Sequence, residues 1–150
     1  MSYPPVSELI PHRPPQLFVD RIVHVEGGRI VAERRFEPED VPGHFPGRPI
    51  VPGVFLVEAL AQTLACLAAL SGREGQAWLT GVDKARFRGA VVPPVTVTLQ
   101  VDVTDERLGV TWARGQVLRD GEAVCTVNLQ AVLDKDAQGP ANLGTTRGPG

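Results

Sequence analysis

The chain has 150 residues, 43% hydrophobic and 21% charged, with a formal net charge of −2. That length suits one domain with a sizeable core, the composition is ordinary for a globular protein, and the small net charge gives a polyanion no hold on the chain as a whole. Zinc-ligand spacing, Arg-rich tracts and aromatic platforms are missing, so neither nucleic acid nor a metal is expected.

The first fifteen residues, MSYPPVSELIPHRPP, are Pro-rich, and Pro11, Pro14 and Pro15 leave room only for a helical turn around Ser7 to Ile10. This stretch has no basic region followed by an apolar run, so no secretory signal is expected and the cytoplasm is the default location. Leu17 to Val25 is rich in Val, Ile and Phe and reads as a strand, Gly27-Gly28 as a hairpin turn, and Arg29 to Phe36 as the returning strand. Pro38 to Pro52 is a Pro/Gly-rich loop. Pro52 suits the first turn of a helix, where its missing N–H is not needed. Gly53 to Leu70 is the one long helix, ended by Ser71-Gly72 with the glycine at C′. Its apolar run, from Val54, is broken by Glu58, Gln62 and Thr63, which fits a core helix better than a membrane span.

Ala77 to Phe87 reads as a third strand, in which Gly81 marks a bulge or a close approach. Val91 to Val95 is a turn around Pro93-Pro94. From Val95 to Val103 the chain alternates cleanly, with Val95, Val97, Leu99, Val101 and Val103 on one face. Gly109 to Leu118 and Glu122 to Leu133 are two more strands, joined by a tight turn at Asp120-Gly121. Residues 134–150 carry few large apolar groups and are expected to be a disordered, dispensable tail to a single domain spanning 1–133. A helix apolar nearly all round needs cover on several sides, and short turns between strands argue for an antiparallel sheet. An α+β domain follows, with a curved antiparallel sheet wrapped around the central helix.

The chemistry concentrates between His44 and Gln62, HFPGRPIVPGVFLVEALAQ. A loop histidine precedes an apolar helix that carries one carboxylate, Glu58. An ionisable group in such a helix is costly unless paired, hydrogen-bonded or neutral. Val54, Phe55 and Leu56 should favour the neutral, proton-donating form of Glu58, while the early helix dipole favours the anion; burial is expected to dominate. Histidine titrates near working pH, which suits a general base. Glu58 and Gln62 stand at i and i+4 and share a helix face, so the Gln62 amide can bond the Glu58 carboxyl. Gly53 lies where helix N–H groups are free to meet a developing oxyanion. Lys84, Arg86 and Arg88 alternate along a strand and are read as one basic face, with Arg48 as a candidate addition. Taken alone, such a face is more often simply solvated. His12 and His24 have no ligand spacing and no evident partner, and read as structural or exposed. Cys66 and Cys125 sit among apolar neighbours and read as buried hydrophobes in a reducing compartment, with no nucleophilic role. Trp78 and Trp112 read as core or interface aromatics.

This segment resembles the signature of the 3-hydroxyacyl-[acyl carrier protein] dehydratases of the FabZ/FabA type, which have the hotdog fold. The upstream LIPHRPPQLFVDRI and the downstream GVDKARFRGAVVP resemble the same family, so the likeness runs from about Leu9 to Leu133. The resemblance implies a catalytic pair at His44 and Glu58, fourteen positions apart as in the family's motif. Glu in place of Asp is as in the branch that dehydrates without isomerising. It also implies a backbone donor at Gly53 for the thioester carbonyl, substrate contact at Val54, and an orienting role for Gln62.

The implied reaction converts a (3R)-hydroxyacyl-[acyl carrier protein] to the trans-2-enoyl thioester and water, in fatty-acid or related lipid or polyketide synthesis. No metal or redox cofactor is implied, since the phosphopantetheine arm belongs to the carrier. The implied partners are acyl carrier protein, docking on Lys84, Arg86 and Arg88, and a second copy of the chain that completes the site, as a dimer or a trimer of dimers. Two departures stand out. VVPPVTV replaces the family's usual Pro-Gly-Asp turn at Pro94 and Val95, and Pro14 and Gln16 replace residues that are often aromatic or aliphatic. The rival readings are a hotdog acyl-CoA thioesterase and a catalytically silent acyl-binding subunit.

Overall fold

A computed structural model describes residues 2–134. A 3-10 turn (Val6–Glu8) is followed by β1 (Arg21–Glu26), β2 (Arg29–Phe36), a second 3-10 turn (Pro38–Asp40), α1 (Gly53–Leu70), β3 (Gln76–Phe87), β4 (Val95–Arg107), β5 (Val110–Arg119) and β6 (Glu122–Asp134). The six strands form one sheet in the order β1-β2-β4-β5-β6-β3, and every neighbouring pair is antiparallel. Helix α1 carries the chain from β2 to the far edge of the sheet at β3, and it packs against β2, β3, β4, β5 and β6. This is the curved sheet around one helix expected from the sequence: the hotdog fold. The tail expected at 134–150 lies outside the described residues except for Asp134, which pairs with Gln76 at the end of β6.

Alternation along β4 explains the packing. Val97, Leu99 and Val101 are fully buried against the helix, while Val95 and Val103 at the ends are half-buried. From the helix, Leu56, Ala59, Leu60, Leu64, Cys66 and Leu67 meet them. The sheet comes so close at Gly115 that a Cβ there would lie 3.1 Å from Leu60 Cδ1. Burial pushes the Cys66 thiol up to about 12 and the Cys125 thiol up to about 11. Both are therefore protonated and unreactive at neutral pH.

Two local readings change. The first strand begins at Arg21 rather than Leu17, because the Phe18 N–H is taken by the Gln62 side chain rather than by a neighbouring strand. The register of β3 against β6 slips between Asp83 and Arg86. Lys84, at φ 53°, and Ala85 together stand where one residue would, so Lys84 and Arg86 do not share a face as strict alternation would require. Trp112 packs on the outer surface of the sheet, under the Arg107 guanidinium at 5.0 Å, and donates its Nε1–H to Gln130 at 3.2 Å. The Pro93–Pro94 peptide is cis and leads directly into β4 at Val95.

Leu60→Ala should destabilise the chain by about 3 kcal/mol, since rigid backbone at Gly115 limits collapse of the cavity. Urea unfolding should show a lower midpoint with an unchanged slope.

Candidate active site

The loop before α1 fixes His44 from two directions. The Ile50 N–H donates to the His44 carbonyl at 2.7 Å, and His44 Nδ1 lies 2.8 Å from the Ile50 carbonyl. A carbonyl only accepts, so Nδ1 carries a proton, and in the neutral ring Nε2 is left bare as a proton acceptor. Reciprocal backbone bonds between Phe45 and Arg48 (2.9 and 2.8 Å) close the turn around Pro46-Gly47. The Phe45 ring stacks on the imidazole with centroids 4.0 Å apart, across a cis His44–Phe45 peptide.

Helix α1 starts at Gly53, where the sequence places it, with Pro52 as N-cap and no side-chain cap. The Phe55 N–H returns to the Pro52 carbonyl at 2.9 Å. The N–H groups of Gly53 and Val54 therefore belong to an open first turn with no partner inside the helix. Gly53 has a packing reason as well: a Cβ there would lie 2.8 Å from the Phe87 ring. A side chain there would have to displace that ring.

Gln62 is 1% exposed and makes three hydrogen bonds. Its Oε1 accepts from the Phe18 N–H at 2.8 Å. Its Nε2 donates to the Gln16 carbonyl at 2.7 Å and to Glu58 Oε2 at 2.7 Å. A backbone N–H can only donate and a carbonyl can only accept, so the amide has one permitted orientation. Glu58 Oε2 must therefore be an acceptor. A carbonyl oxygen accepts better than a hydroxyl, so this bond favours placing a carboxyl proton on Oε1, for which no partner is found among the described residues.

Glu58 lines a cleft of about 290 Å³ with His12, Ala61, Gln62, Leu64, Ala65, Trp78 and neighbouring residues of β3 and β6. The sequence reading expects a buried carboxyl, yet within the single chain its side chain is 41% exposed. The apolar neighbours were assigned correctly but face elsewhere. Phe55 stacks on Phe18 at 4.9 Å, Leu56 points into the core, and Val54 is exposed.

His12, read from the sequence as having no partner, stands with Nε2 3.7 Å from Glu58 Oε2. No spacing signal links positions so far apart in the chain; a histidine held in a turn by flanking prolines is the only local hint. His24 pairs with Glu26 at 3.1 Å on the surface, away from the cleft. Among the described residues, no hydrogen bond or ion pair joins His44 to Glu58 within the chain. A second cavity, of about 300 Å³, shares Leu64, Ala77 and Ala131 with the cleft and continues along the helix to Ser71.

A helix rolled in an antiparallel sheet, with a histidine in the loop before it and a carboxyl on it, defines a hotdog-fold domain with a candidate acid–base site. The dehydratase heterocomplex ApeI:P from Xenorhabdus doucetiae shares the fold with a TM-score of 0.81 at 15% identity, over 97% of this chain and 99% of that one. A hypothetical thioesterase with coenzyme A from Streptococcus pneumoniae TIGR4 shares it with a TM-score of 0.61 at 10% identity, over 76% and 84% of the two chains. Residues 10–128 match the FabA-like domain family, and the chain belongs to that family. Among curated relatives, the 3-hydroxyacyl-[acyl-carrier-protein] dehydratase FabZ of Anaeromyxobacter dehalogenans (strain 2CP-C) is 40% identical, covering 85% of this chain and 87% of its own. The enzyme of the same name from Yersinia enterocolitica (serotype O:8 / biotype 1B) is 38% identical, covering 88% and 83%.

Gln62→Met should strand the buried Phe18 N–H and Gln16 carbonyl and lower stability by about 2–4 kcal/mol. Hydrogen exchange should show the Phe18 amide losing its protection while amides in β4 keep theirs.

Proposed function

We propose that this chain is a 3-hydroxyacyl-[acyl carrier protein] dehydratase with His44 as base and Glu58 as acid. The observation that carries the roles is the hydrogen bonding of the two groups. His44 donates from Nδ1 and leaves Nε2 bare in the neutral ring, while Glu58 accepts at Oε2 and leaves Oε1 without a hydrogen-bond partner among the described residues. In the proposed reaction His44 Nε2 takes a proton from C2. The electron pair of that C–H bond forms the C2=C3 double bond as the C3–O bond breaks. The leaving hydroxyl takes the proton from Glu58 Oε1 and departs as water. The open N–H groups of Gly53 and Val54 would hold the thioester oxygen while it carries enolate charge. These groups account for both proton transfers, so the proposed chemistry calls on no metal or redox cofactor.

We place the working site between two copies of the chain, His44 from one and Glu58 from the other. The absence of any His44–Glu58 contact within the described chain supports this. So do the apolar side chains left exposed around the site and along the β3 edge: Phe45, Val54, Leu79, Val82 and Phe87. The shared cleft and cavity along α1 would take the acyl chain. Arg48, Lys84, Arg86 and Arg88 are exposed and form no ion pair among the described residues. They are proposed to receive the acidic carrier, although the bulge at Lys84 spreads them over more than one face.

The test follows the ultraviolet absorbance of the conjugated enoyl thioester with purified protein and 3-hydroxyacyl-acyl carrier protein. His44→Ala and Glu58→Gln should each lower the rate by about 10²–10⁴-fold. Equimolar co-refolding of these two variants should restore about a quarter of wild-type activity, because half the dimers are mixed and one of their two sites is intact. Release of free thiol without enoyl product would turn the reading to a thioesterase, and carrier binding without turnover to a silent subunit.

A further inference from the structure

The proposed chemistry leaves one titratable group of the cleft unused. His12 lines it together with Glu58, and among the described residues these two are its only titratable side chains; Gln62, Gln76 and Trp78 are the other polar ones. His12 Nε2 lies 3.7 Å from Glu58 Oε2, a few tenths of an ångström beyond a hydrogen bond, a gap of the kind that closes when a catalytic site fills. On the far side of the ring, Nδ1 is buried and has no hydrogen-bond partner among the described residues. A charged imidazolium would bury an unsatisfied, charged N–H there, which costs more than burying a bare lone pair. The arrangement therefore favours a neutral ring with its proton on Nε2, facing Oε2. The turn that carries His12 is held by Arg13, whose guanidinium donates to the carbonyls of Ser7, Ile10 and His12 and so is committed to the backbone of the turn.

We propose that His12 is a positioning residue for Glu58. As a neutral Nε2–H donor it joins Gln62 at Oε2, so that two donors hold one oxygen and the other, Oε1, presents the acidic proton. The catalytic consequence rests on the dehydratase reading; the geometry does not. A neutral donor suits a general acid, because a cation so close would hold the carboxyl as its anion and remove the proton it must give. Once Oε1 has lost its proton, the two N–H groups on Oε2 stabilise the charge left behind.

The experiment pairs ring-nitrogen NMR of the full-length protein, labelled at its three histidines, with kinetics in the dehydration direction. At neutral pH the His12 ring should show the neutral, Nε2-protonated pattern, opposite to His44. Glu58→Gln should move the His12 signals and leave those of His24 in place. His12→Leu should lower kcat by about tenfold with little change in KM. Its loss of activity toward high pH should move to higher pH, because a carboxylate without its donor is less easily formed. His12→Gln, which keeps an N–H of similar reach, should recover most of both effects. A charged or Nδ1-protonated His12, ring signals indifferent to Glu58→Gln, or a His12→Leu pH profile that coincides with wild type would each overturn the proposal. Absence of turnover in the wild-type protein would instead sink the dehydratase reading, and the ring-nitrogen signals would still decide whether His12 engages Glu58.

Discussion

The buried amide of Gln62 is the interaction on which the site depends. It ties three parts of the chain that sequence separates: the N-terminal segment at Gln16 and Phe18, the middle of α1, and the carboxyl of Glu58. A polar side chain that is almost wholly buried survives only if its donors and acceptor are met, and here the two bonds to backbone groups permit one orientation. The same bonds that let the amide be buried also select which Glu58 oxygen accepts. Folding and chemistry are thus coupled through one side chain. The N-terminal segment cannot lift from the helix without leaving the Phe18 N–H, the Gln16 carbonyl and the amide itself unsatisfied.

Around that point the fold solves a simpler problem. An 18-residue helix that is apolar on nearly every side has to be covered, and a flat sheet covers only one side. The sheet therefore curls, with β2, β4, β5 and β6 supplying inward Val, Ile, Leu and Ala and with Gly115 letting the backbone come close to Leu60. The cover runs out at the β3 edge and at the first turn of the helix. Polar chemistry collects there: the open N–H groups, the carboxyl, the cleft and the loop histidine all lie where the wrapping is incomplete. An incomplete edge with exposed Leu79, Val82 and Phe87 also gives the physical reason for proposing a second copy of the chain. A long apolar edge strand is unfavourable in water unless something pairs with it or covers it.

Legibility in the sequence followed the range of the forces involved. The helix begins and ends where Pro52, Gly53, Ser71 and Gly72 set its limits, because capping and φ preferences act over a few residues. The turns at Gly27-Gly28 and Asp120-Gly121 and the alternation of β4 were readable for the same reason. The i, i+4 bond from Gln62 to Glu58 is also local. The misreadings came from longer range. Leu17 to Val19 has strand composition, yet its N–H donor is spent on a side chain from the helix. Lys84 alternates with Arg86 in sequence, yet the register against β6 inserts a bulge between them. Glu58 was expected to be buried because its sequence neighbours are apolar, but those neighbours face other ways.

By itself, then, the sequence determined the architecture and the position of every element to within a few residues, and it singled out the candidate pair His44 and Glu58, since periodicity, turn chemistry and residue type are local properties. Only the tertiary structure decided which oxygen of Glu58 is free, which nitrogen of His44 is bare, and that His12 stands beside the carboxyl at all. Those depend on hydrogen bonds between groups tens of residues apart, where donors and acceptors are matched by the closure of the fold and no spacing in the chain records the match.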